Sequence, residues 1–288
     1  MLFSVIAAPL ALAIVISGGA PLAALLAIAG AIGAWEFYRI ARAGGIAPLD
    51  DFGVALAGLL PLAVHAQFQG IHLPALTLGT VAVAIVFGLT IWRRGIEGKP
   101  LASAAITVFG VLYTSGLLSF GYALRYHPYA FADVRVAGRN VSSGALLLMV
   151  PLIATWASDI GAFFVGRAIG KHKLAPAVSP GKTIEGAIGG LAGSVIVAWL
   201  LGEFLLRPVA QLGFRWPPMG VIIFGVSVSV AAQIGDLAES LIKREAGVKD
   251  SSRILPGHGG ILDRLDSLFF VLPVSYLLIG WLLTWAPR

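Results

Sequence analysis

The stretch "GALLLMVPLIATWASDIGAFFV", residues 144–165, contains one charged residue, Asp159, in 22 positions. Because a helix needs about 20 apolar residues to cross a bilayer, this stretch predicts a transmembrane helix with a carboxylate near one end. The whole chain has the same character: 58% of its 288 residues are hydrophobic and 12% are charged, and the mean hydropathy is +0.91. A soluble domain has about 25% charged residues. The composition therefore indicates a polytopic membrane protein.

Apolar segments recur along the chain and predict an all-α, polytopic integral membrane helical bundle with about nine transmembrane helices. These segments are 2–17, 20–38, 54–68, 72–92, 101–124, 144–165, 184–206, 217–235 and 261–286. The weakest is 54–68, because it is short and contains Pro61 and His65. Eight spans plus a re-entrant segment are the alternative. The first segment has no basic residues before its apolar run, so we expect a retained helix and not a signal peptide.

The distribution of basic residues predicts the orientation. With nine spans, loops 39–53, 93–100, 166–183 and 236–264 lie on one side and carry 14 of the 20 Lys and Arg. Cytoplasmic loops are enriched in these residues, so we expect this side and the N-terminus to face the cytoplasm. We expect the membrane to be a bacterial inner membrane. These loops account for the net charge of +6, which gives no reason to expect nucleic acid binding. The lack of cysteine excludes disulfides and thiolate metal sites.

The acidic residues concentrate in the second part of the chain: five precede residue 158 and nine follow it. We therefore predict a scaffold of transmembrane helices over 1–143 and a catalytic region with a cytoplasmic-side polar site over 144–288. Asp236, Glu239 and Lys243 share one face of a helix by their spacing. Asp263 and Asp266 form a pair three residues apart. Such carboxylates suit an oxygen-seeking cation such as Mg²⁺.

Basic residues lie in the same predicted loop as these acids or, for Lys182, in another loop predicted on the same side of the membrane. They are Lys182, Lys243, Arg244, Lys249, Arg253 and Arg264. Carboxylate-bound Mg²⁺ surrounded by Lys and Arg is typical of a polyphosphate site, so we predict a phosphorylated substrate. The alternative, a solvated loop whose charges pair with one another, does not require aspartates at helical spacing beside a glycine-rich turn.

Two further motifs have a structural interpretation beside the functional one. The run "SPGKTIEG", residues 179–186, is not a Walker A loop, because Pro176 stands where that pattern requires glycine. It places Lys182 and Glu185 at a helix start, for anion binding or for capping. The glycines that follow at four-residue spacing favour helix packing, within the chain or at a dimer interface. His258 is more typical of a phosphate-contacting turn residue than of a general base.

The run "SLIKREAGVKDSSRILPGHGGILDRLD", residues 240–266, resembles the signature of the phosphatidate cytidylyltransferase family, also called CDP-diacylglycerol synthase. "GDLAES", residues 235–240, and "SPGKTIEG" are also similar to that family. This sequence departs from the pattern at Ile184, where Trp is expected, and at Ile160, where Thr is usual. Over residues 1–150 the resemblance extends to hydropathy and little more.

The resemblance implies an integral membrane enzyme that joins CTP and phosphatidic acid to give CDP-diacylglycerol and pyrophosphate. It implies Mg²⁺ and leaves open a second cation such as K⁺. The expected catalytic residues are Asp236, Asp263, Asp266, Lys243 and Arg264. The expected metal ligands are Asp236, Asp263 and Asp266, with Asp159 and Glu239 as further candidates. The expected substrate-binding residues are Ser179, Lys182, Arg244, Lys249, Asp250, His258, Gly259 and Gly260.

Rival functions make different predictions from the same residues. An ion-coupled transporter should spread its carboxylates through the middle of the bilayer, whereas these acids concentrate toward one side. A CDP-alcohol phosphotransferase should contain a D-G-x-x-A-R run, and this chain contains no Asp-Gly dipeptide. A lipid kinase stays the nearest alternative. We expect membrane lipids as partners, no nucleic acid, and a homodimer.

Overall fold

The computed structural model describes residues 2–128, 133–136, 139–206, 217–254 and 259–284. Ten α-helices lie within these ranges. They are α1 (Leu2–Ser17), α2 (Gly19–Ala43), α3 (Asp50–Phe68), α4 (Ala75–Arg94), α5 (Pro100–Val111), α6 (Leu117–Arg125), α7 (Ser143–Ile169), α8 (Ile184–Leu201), α9 (Pro218–Glu245) and α10 (Leu262–Thr284). A π-helical turn, Leu112–Gly116, joins α5 to α6, and another, Gly202–Leu206, follows α8.

Eight helical stretches in the described part of the chain are long and apolar enough to cross a membrane, with α5 and α6 counted as one stretch, Pro100–Arg125. This confirms the polytopic helical bundle. Segment 54–68 lies within α3, whose 19 residues are sufficient for a span. The first predicted span, α1, has only 16 residues, fewer than the ~20 that a crossing requires.

Two short antiparallel hairpins were not predicted. Strands β1 (Asp133–Val136) and β2 (Arg139–Ser142) precede α7, and β3 (Lys173–Ala175) and β4 (Ser179–Thr183) precede α8. The second hairpin pairs Lys173 with Thr183 and Ala175 with Ser179. It therefore turns the "SPGKTIEG" motif back along the chain immediately before α8 begins.

The chain forms two compact units that are interleaved in sequence. The first contains residues 1–17, 123–240 and 266–288, and the second contains residues 18–122 and 241–265. Helices α9 and α10 each supply residues to both units. The division by role at residue 143 stays a prediction, because contacts between helices do not test it.

In the first unit, glycines bring α7 and α8 into backbone contact. A Cβ on Gly161 would lie 2.5 Å from the carbonyl oxygen of Gly189, and a Cβ on Gly193 would lie 2.7 Å from that of Ala157. Both distances are too short for any side chain. The glycine spacing of α8 therefore serves packing within the chain, and the expected homodimer stays a prediction.

In the second unit, buried polar contacts fix α2. The Tyr38 hydroxyl donates to the carbonyl oxygen of Thr107 at 2.7 Å, and the Thr107 hydroxyl accepts from the N–H of Leu49 at 2.8 Å. Tyr38 is fully buried, so its hydroxyl needs this partner. These contacts hold the C-terminal part of α2, which carries Glu36, against α5.

Candidate functional site

The first unit contains an ion pair between a hairpin and a helix, which we call the hairpin pair. Lys182 Nζ, at the end of β4, lies 2.7 Å from Asp236 Oδ2 on α9. The two side chains are 24% and 38% exposed, so water reaches both. The hydroxyl of Ser240, one turn further along α9, donates to Asp236 at 3.4 Å. Asp159 on α7 lies close enough for the charges of Asp236 and Lys182 to act on it.

The hairpin that carries Lys182 is anchored at its base by Glu185. The Glu185 carboxylate accepts from the backbone N–H groups of Lys171 at 3.0 Å and His172 at 3.2 Å, and it lies 2.5 Å from Nδ1 of His172. Thr183 caps α8, since its hydroxyl accepts from the N–H of Gly186 at 3.1 Å. In the sequence interpretation Lys182 and Glu185 shared one role. The structure separates them: Glu185 fixes the hairpin, and Lys182 reaches the acids.

The second unit contains another lysine–aspartate contact, which we call the buried pair. Lys243 Nζ on α9 lies 2.8 Å from Asp263 Oδ1 in the first turn of α10, and the side chains are 11% and 10% exposed. Asp263 Oδ2 accepts from the hydroxyl of Ser251 and from the N–H of Gly260, both at 2.8 Å. The N–H of Ser251 also points at this carboxylate, 3.1 Å from Oδ2. Protein donors therefore surround Asp263.

The glycines of the signature allow this close approach. Gly259 has φ of +80°, a conformation that favours glycine, and a Cβ there would lie 2.6 Å from Asp263 Oδ2. A Cβ on Gly260 would collide with the Ser251 hydroxyl and with Glu36. Gly259 and Gly260 are two of the substrate-binding residues that the resemblance implies, and that role stays a prediction. In the structure their backbone lies against two carboxylates of the protein itself, Asp263 and Glu36.

Glu36 on α2 is the residue that sequence reasoning missed. It is fully buried, and its carboxylate accepts from the N–H of Leu262 at 2.6 Å, the N–H of Ile261 at 3.1 Å and the hydroxyl of Ser251 at 3.3 Å. The Ser252 hydroxyl is a fourth donor. The available signal was an acid between Trp35 and Phe37 in an apolar helix, where a carboxylate is costly without partners.

The other predicted residues occupy varied positions. Glu239 on α9 is buried. Asp266 on α10 accepts from the N–H of Ser267 at 2.6 Å. Arg244 donates to the carbonyl of Val248 at 3.2 Å. Lys249, Asp250 and Arg264 are exposed, and Ser179 is half-buried in β4. His258 lies outside the described residues.

The number of carboxylates and their existing contacts determine where Mg²⁺ could bind. Within the described ranges, no three acidic or histidine side chains converge on one point. Mg²⁺ in phosphate-transferring sites takes one or two carboxylates, and substrate oxygens and water supply the rest. Asp159 and Asp236 meet that requirement. Asp263 would have to release Lys243 or Ser251, because its lone pairs are already occupied.

The sequence matches the profile of the Cytidylyltransferase family over residues 1–282. It is 31% identical over 297 residues to a phosphatidate cytidylyltransferase of Synechocystis, covering 97% of this chain and 95% of that protein. It is 49% identical over 253 residues to a phosphatidate cytidylyltransferase of Staphylococcus aureus, covering 84% and 94%. A protein of the same name from Staphylococcus saprophyticus is 46% identical over 244 residues, covering 83% and 91%. The likeness thus includes the N-terminal helices, where sequence reasoning found little beyond hydropathy.

Proposed function

Because the chain belongs to the Cytidylyltransferase family, we propose that it transfers the cytidylyl group of CTP to phosphatidic acid, forming CDP-diacylglycerol and pyrophosphate. The structural observation that carries the proposal is the pairing of a lysine with an aspartate in each compact unit, Lys182 with Asp236 and Lys243 with Asp263. Such pairs place cations for phosphate oxygens beside carboxylates for a metal, which are the two kinds of group that nucleotidyl transfer requires.

The reaction needs no nucleophile from the protein. A phosphate monoester has a second pKa near 6, so phosphatidic acid is largely dianionic at neutral pH. One of its oxygens forms a bond to the α-phosphorus of CTP, and the bond from that phosphorus to the bridging oxygen of the β-phosphate breaks. Pyrophosphate leaves with the electron pair. The protein's part is to hold both anions together and to offset their charge, which suits lysines more than a general base.

Each ion pair also offers a way to neutralise its own lysine before substrate arrives. Without phosphate, each lysine is balanced by its aspartate. When a triphosphate or a phosphatidate headgroup binds, Lys182 and Lys243 can turn toward phosphate oxygens, and each carboxylate then becomes available to a cation. Hydration makes this exchange easier at the hairpin pair than at the buried pair.

We propose that the reaction depends on Mg²⁺. Asp159 and Asp236 would hold it in the first unit, and Asp263 and Asp266 are the acids of α10 that stay candidates. When bound, Mg²⁺ would offset the negative charge on the phosphate oxygens of the nucleotide. The proposal leaves open whether a second cation such as K⁺ takes part.

The protein is integral to the membrane, as its apolar helices and bacterial relatives indicate. We propose that the membrane is a bacterial inner membrane and that the site faces the cytoplasm, since the loops with most Lys and Arg include Lys182 and Lys243. The acyl chains of the substrate would stay in the bilayer while the headgroup reaches these lysines. We also propose that the protein forms a homodimer and that it does not bind nucleic acid.

The test is an assay in detergent micelles with labelled CTP, phosphatidic acid and Mg²⁺ on the wild type, Asp263→Asn and Asp51→Asn. Asp51 is the matched control, because its side chain is 93% exposed and its contact with Arg93 is as long as 3.9 Å. We expect CDP-diacylglycerol and pyrophosphate from the wild type and the control. The Asp263→Asn activity should fall on the order of a thousandfold, with no product when Mg²⁺ is removed by a chelator.

Product identity separates this function from its nearest rival. A lipid kinase using CTP would release CDP and would leave no cytidine on the lipid. CDP in place of pyrophosphate would therefore support the kinase, and no product under any lipid or Mg²⁺ condition would refute the cytidylyltransferase.

A further inference from the structure

We propose that Glu36, on α2 in the N-terminal part of the chain, is a positioning residue for the predicted catalytic carboxylate of Asp263. The inference rests on the proposed function, which it deepens by adding to the catalytic region a residue that lies before residue 143. Glu36 acts through Ser251 and through the backbone at the start of α10, and it does not itself touch substrate.

In the part of the chain that the structure describes, the hydrogen-bond donors to Glu36 come from the two ends of one segment. Ser251 and Ser252 donate from its beginning, and the N–H groups of Ile261 and Leu262 donate from its end. One carboxylate therefore fixes the separation between residues 251 and 262. The segment between these ends includes the Pro-Gly-His-Gly-Gly run that the sequence assigns to phosphate binding.

Ser251 transmits this constraint to Asp263. Its hydroxyl lies 3.3 Å from Glu36 Oε2 and 2.8 Å from Asp263 Oδ2. The N–H of Ser251 also donates to Asp263, so both hydrogen-bond donors of this residue contact the same carboxylate. A shift of Ser251 away from Glu36 would therefore move the donors of Asp263 and release its contact with Lys243.

The negative charge of Glu36, and not only its volume, is used. Its partners within the described residues are donors, and two of them are backbone N–H groups at the N-terminal end of α10, where a helix favours an anion. A glutamine has nearly the same shape but presents an NH₂ group to these donors on one side. Glu36→Gln should therefore loosen the segment without leaving a cavity.

The experiment compares wild type, Glu36→Gln and Glu97→Gln in the micelle assay, with kcat and KM measured for both substrates. Glu97 is the matched control, because it lies exposed in the connection after α4. We expect kcat of Glu36→Gln to fall about 10- to 100-fold, as for groups that orient a ligand from behind, with KM near the wild-type value. The control should keep both constants. A Glu36→Gln protein with the kcat of the control would overturn the proposal.

A second readout does not depend on catalysis. The side chain of Lys243 is only 11% exposed in its contact with Asp263, so it should react slowly with an amine-reactive acylating reagent. The rate of its acylation, measured by mass spectrometry, therefore reports whether the pair is intact. Glu36→Gln should raise the acylation rate of Lys243 and leave that of the exposed Lys171 unchanged. If the wild type makes no CDP-diacylglycerol, the proposed function fails, but the labelling still tests the positioning role of Glu36. Equal acylation of Lys243 in the wild type and both variants would contradict that role.

Ser252→Ala keeps the proposal testable if Glu36→Gln does not fold. This change removes one donor to Glu36 and leaves the contacts of Ser251 with Asp263 in place. We expect a smaller fall in kcat, with the thermal unfolding temperature close to the wild type. Wild-type kcat together with wild-type Lys243 labelling in Ser252→Ala would count against the role of Glu36.

Discussion

The hairpin pair and the buried pair have the same chemistry and nearly the same length but different surroundings. Lys182 lies 2.7 Å from Asp236, with exposures of 24% and 38%, and Lys243 lies 2.8 Å from Asp263, with exposures of 11% and 10%. Among the described residues, Asp236 also accepts from the hydroxyl of Ser240 at 3.4 Å. Asp263 has the hydroxyl and N–H of Ser251 and the N–H of Gly260.

This difference indicates two roles for one kind of contact. An exposed ion pair contributes about 0–1 kcal/mol to stability, so a phosphate group can replace it at little cost. Removing one partner of a buried pair costs about 3–5 kcal/mol, because the other charge stays behind without water. We infer that the hairpin pair is the exchangeable one, whereas the buried pair also maintains the structure of the signature segment.

The largest effect is expected for Lys243→Gln. It removes a cation from the proposed phosphate site and takes the charge of Lys243 away from a carboxylate that is only 10% exposed. We expect activity to fall on the order of a thousandfold and the free energy of unfolding to fall by about 3 kcal/mol. The micelle assay and thermal unfolding in detergent measure the two quantities. Loss of activity with an unchanged unfolding temperature would show that the buried pair does not stabilise the fold.

Lys182→Gln is the same substitution at the hairpin pair, and its effect should be smaller. We expect activity to fall about 10- to 100-fold, because a single cationic contact to phosphate is lost. The free energy of unfolding should change by less than about 1 kcal/mol. Lys171→Gln, two residues before the hairpin begins, is the control and should match the wild type in both assays. A large loss of stability in Lys182→Gln would remove the contrast between the two pairs.

The sequence predicted the helical fold because a segment that crosses lipid must be apolar and must satisfy its own backbone hydrogen bonds as a helix. Long apolar runs therefore identify the helices. The sequence did not predict strands β3 and β4, since segments of only 3 and 5 residues are too short to show a clear alternation of apolar and polar residues. Nor did it predict that α9 and α10 would each supply residues to both units, because packing between distant segments leaves no local pattern.

For the candidate site, local spacing was sufficient to single out the acids and bases of residues 236–266 as candidates. It did not predict which acid contacts which base. Lys243 and Asp263 were both singled out, while their contact depends on how α9 and α10 pack. Glu36 lies 215 residues before Ser251, so no motif could join them. The one sequence signal for Glu36 was the physical cost of an acid in an apolar helix, and it was missed.

The smallest effect concerns a polar group of the first unit that belongs to neither pair. His127 follows α6, and its ring contacts that of Tyr276 with centroids 4.9 Å apart. Burial lowers the pKa of His127 below 6.5, although a hydrogen bond with the Tyr276 backbone partly opposes this. The unfolded chain then binds a proton at higher pH than the folded protein, so stability should decrease as pH falls below about 6.5.

His127→Gln should remove this part of the pH dependence. Since about 1 kcal/mol corresponds to 2–4 °C in a chain of this size, we expect the wild-type unfolding temperature to drop a few degrees at most from pH ~7.5 to pH ~5, and that of the variant to drop less. Equal drops would assign the pH dependence to other groups. The pair variants should keep the wild-type drop, because His127 lies outside both pairs and its partner Tyr276 belongs to neither.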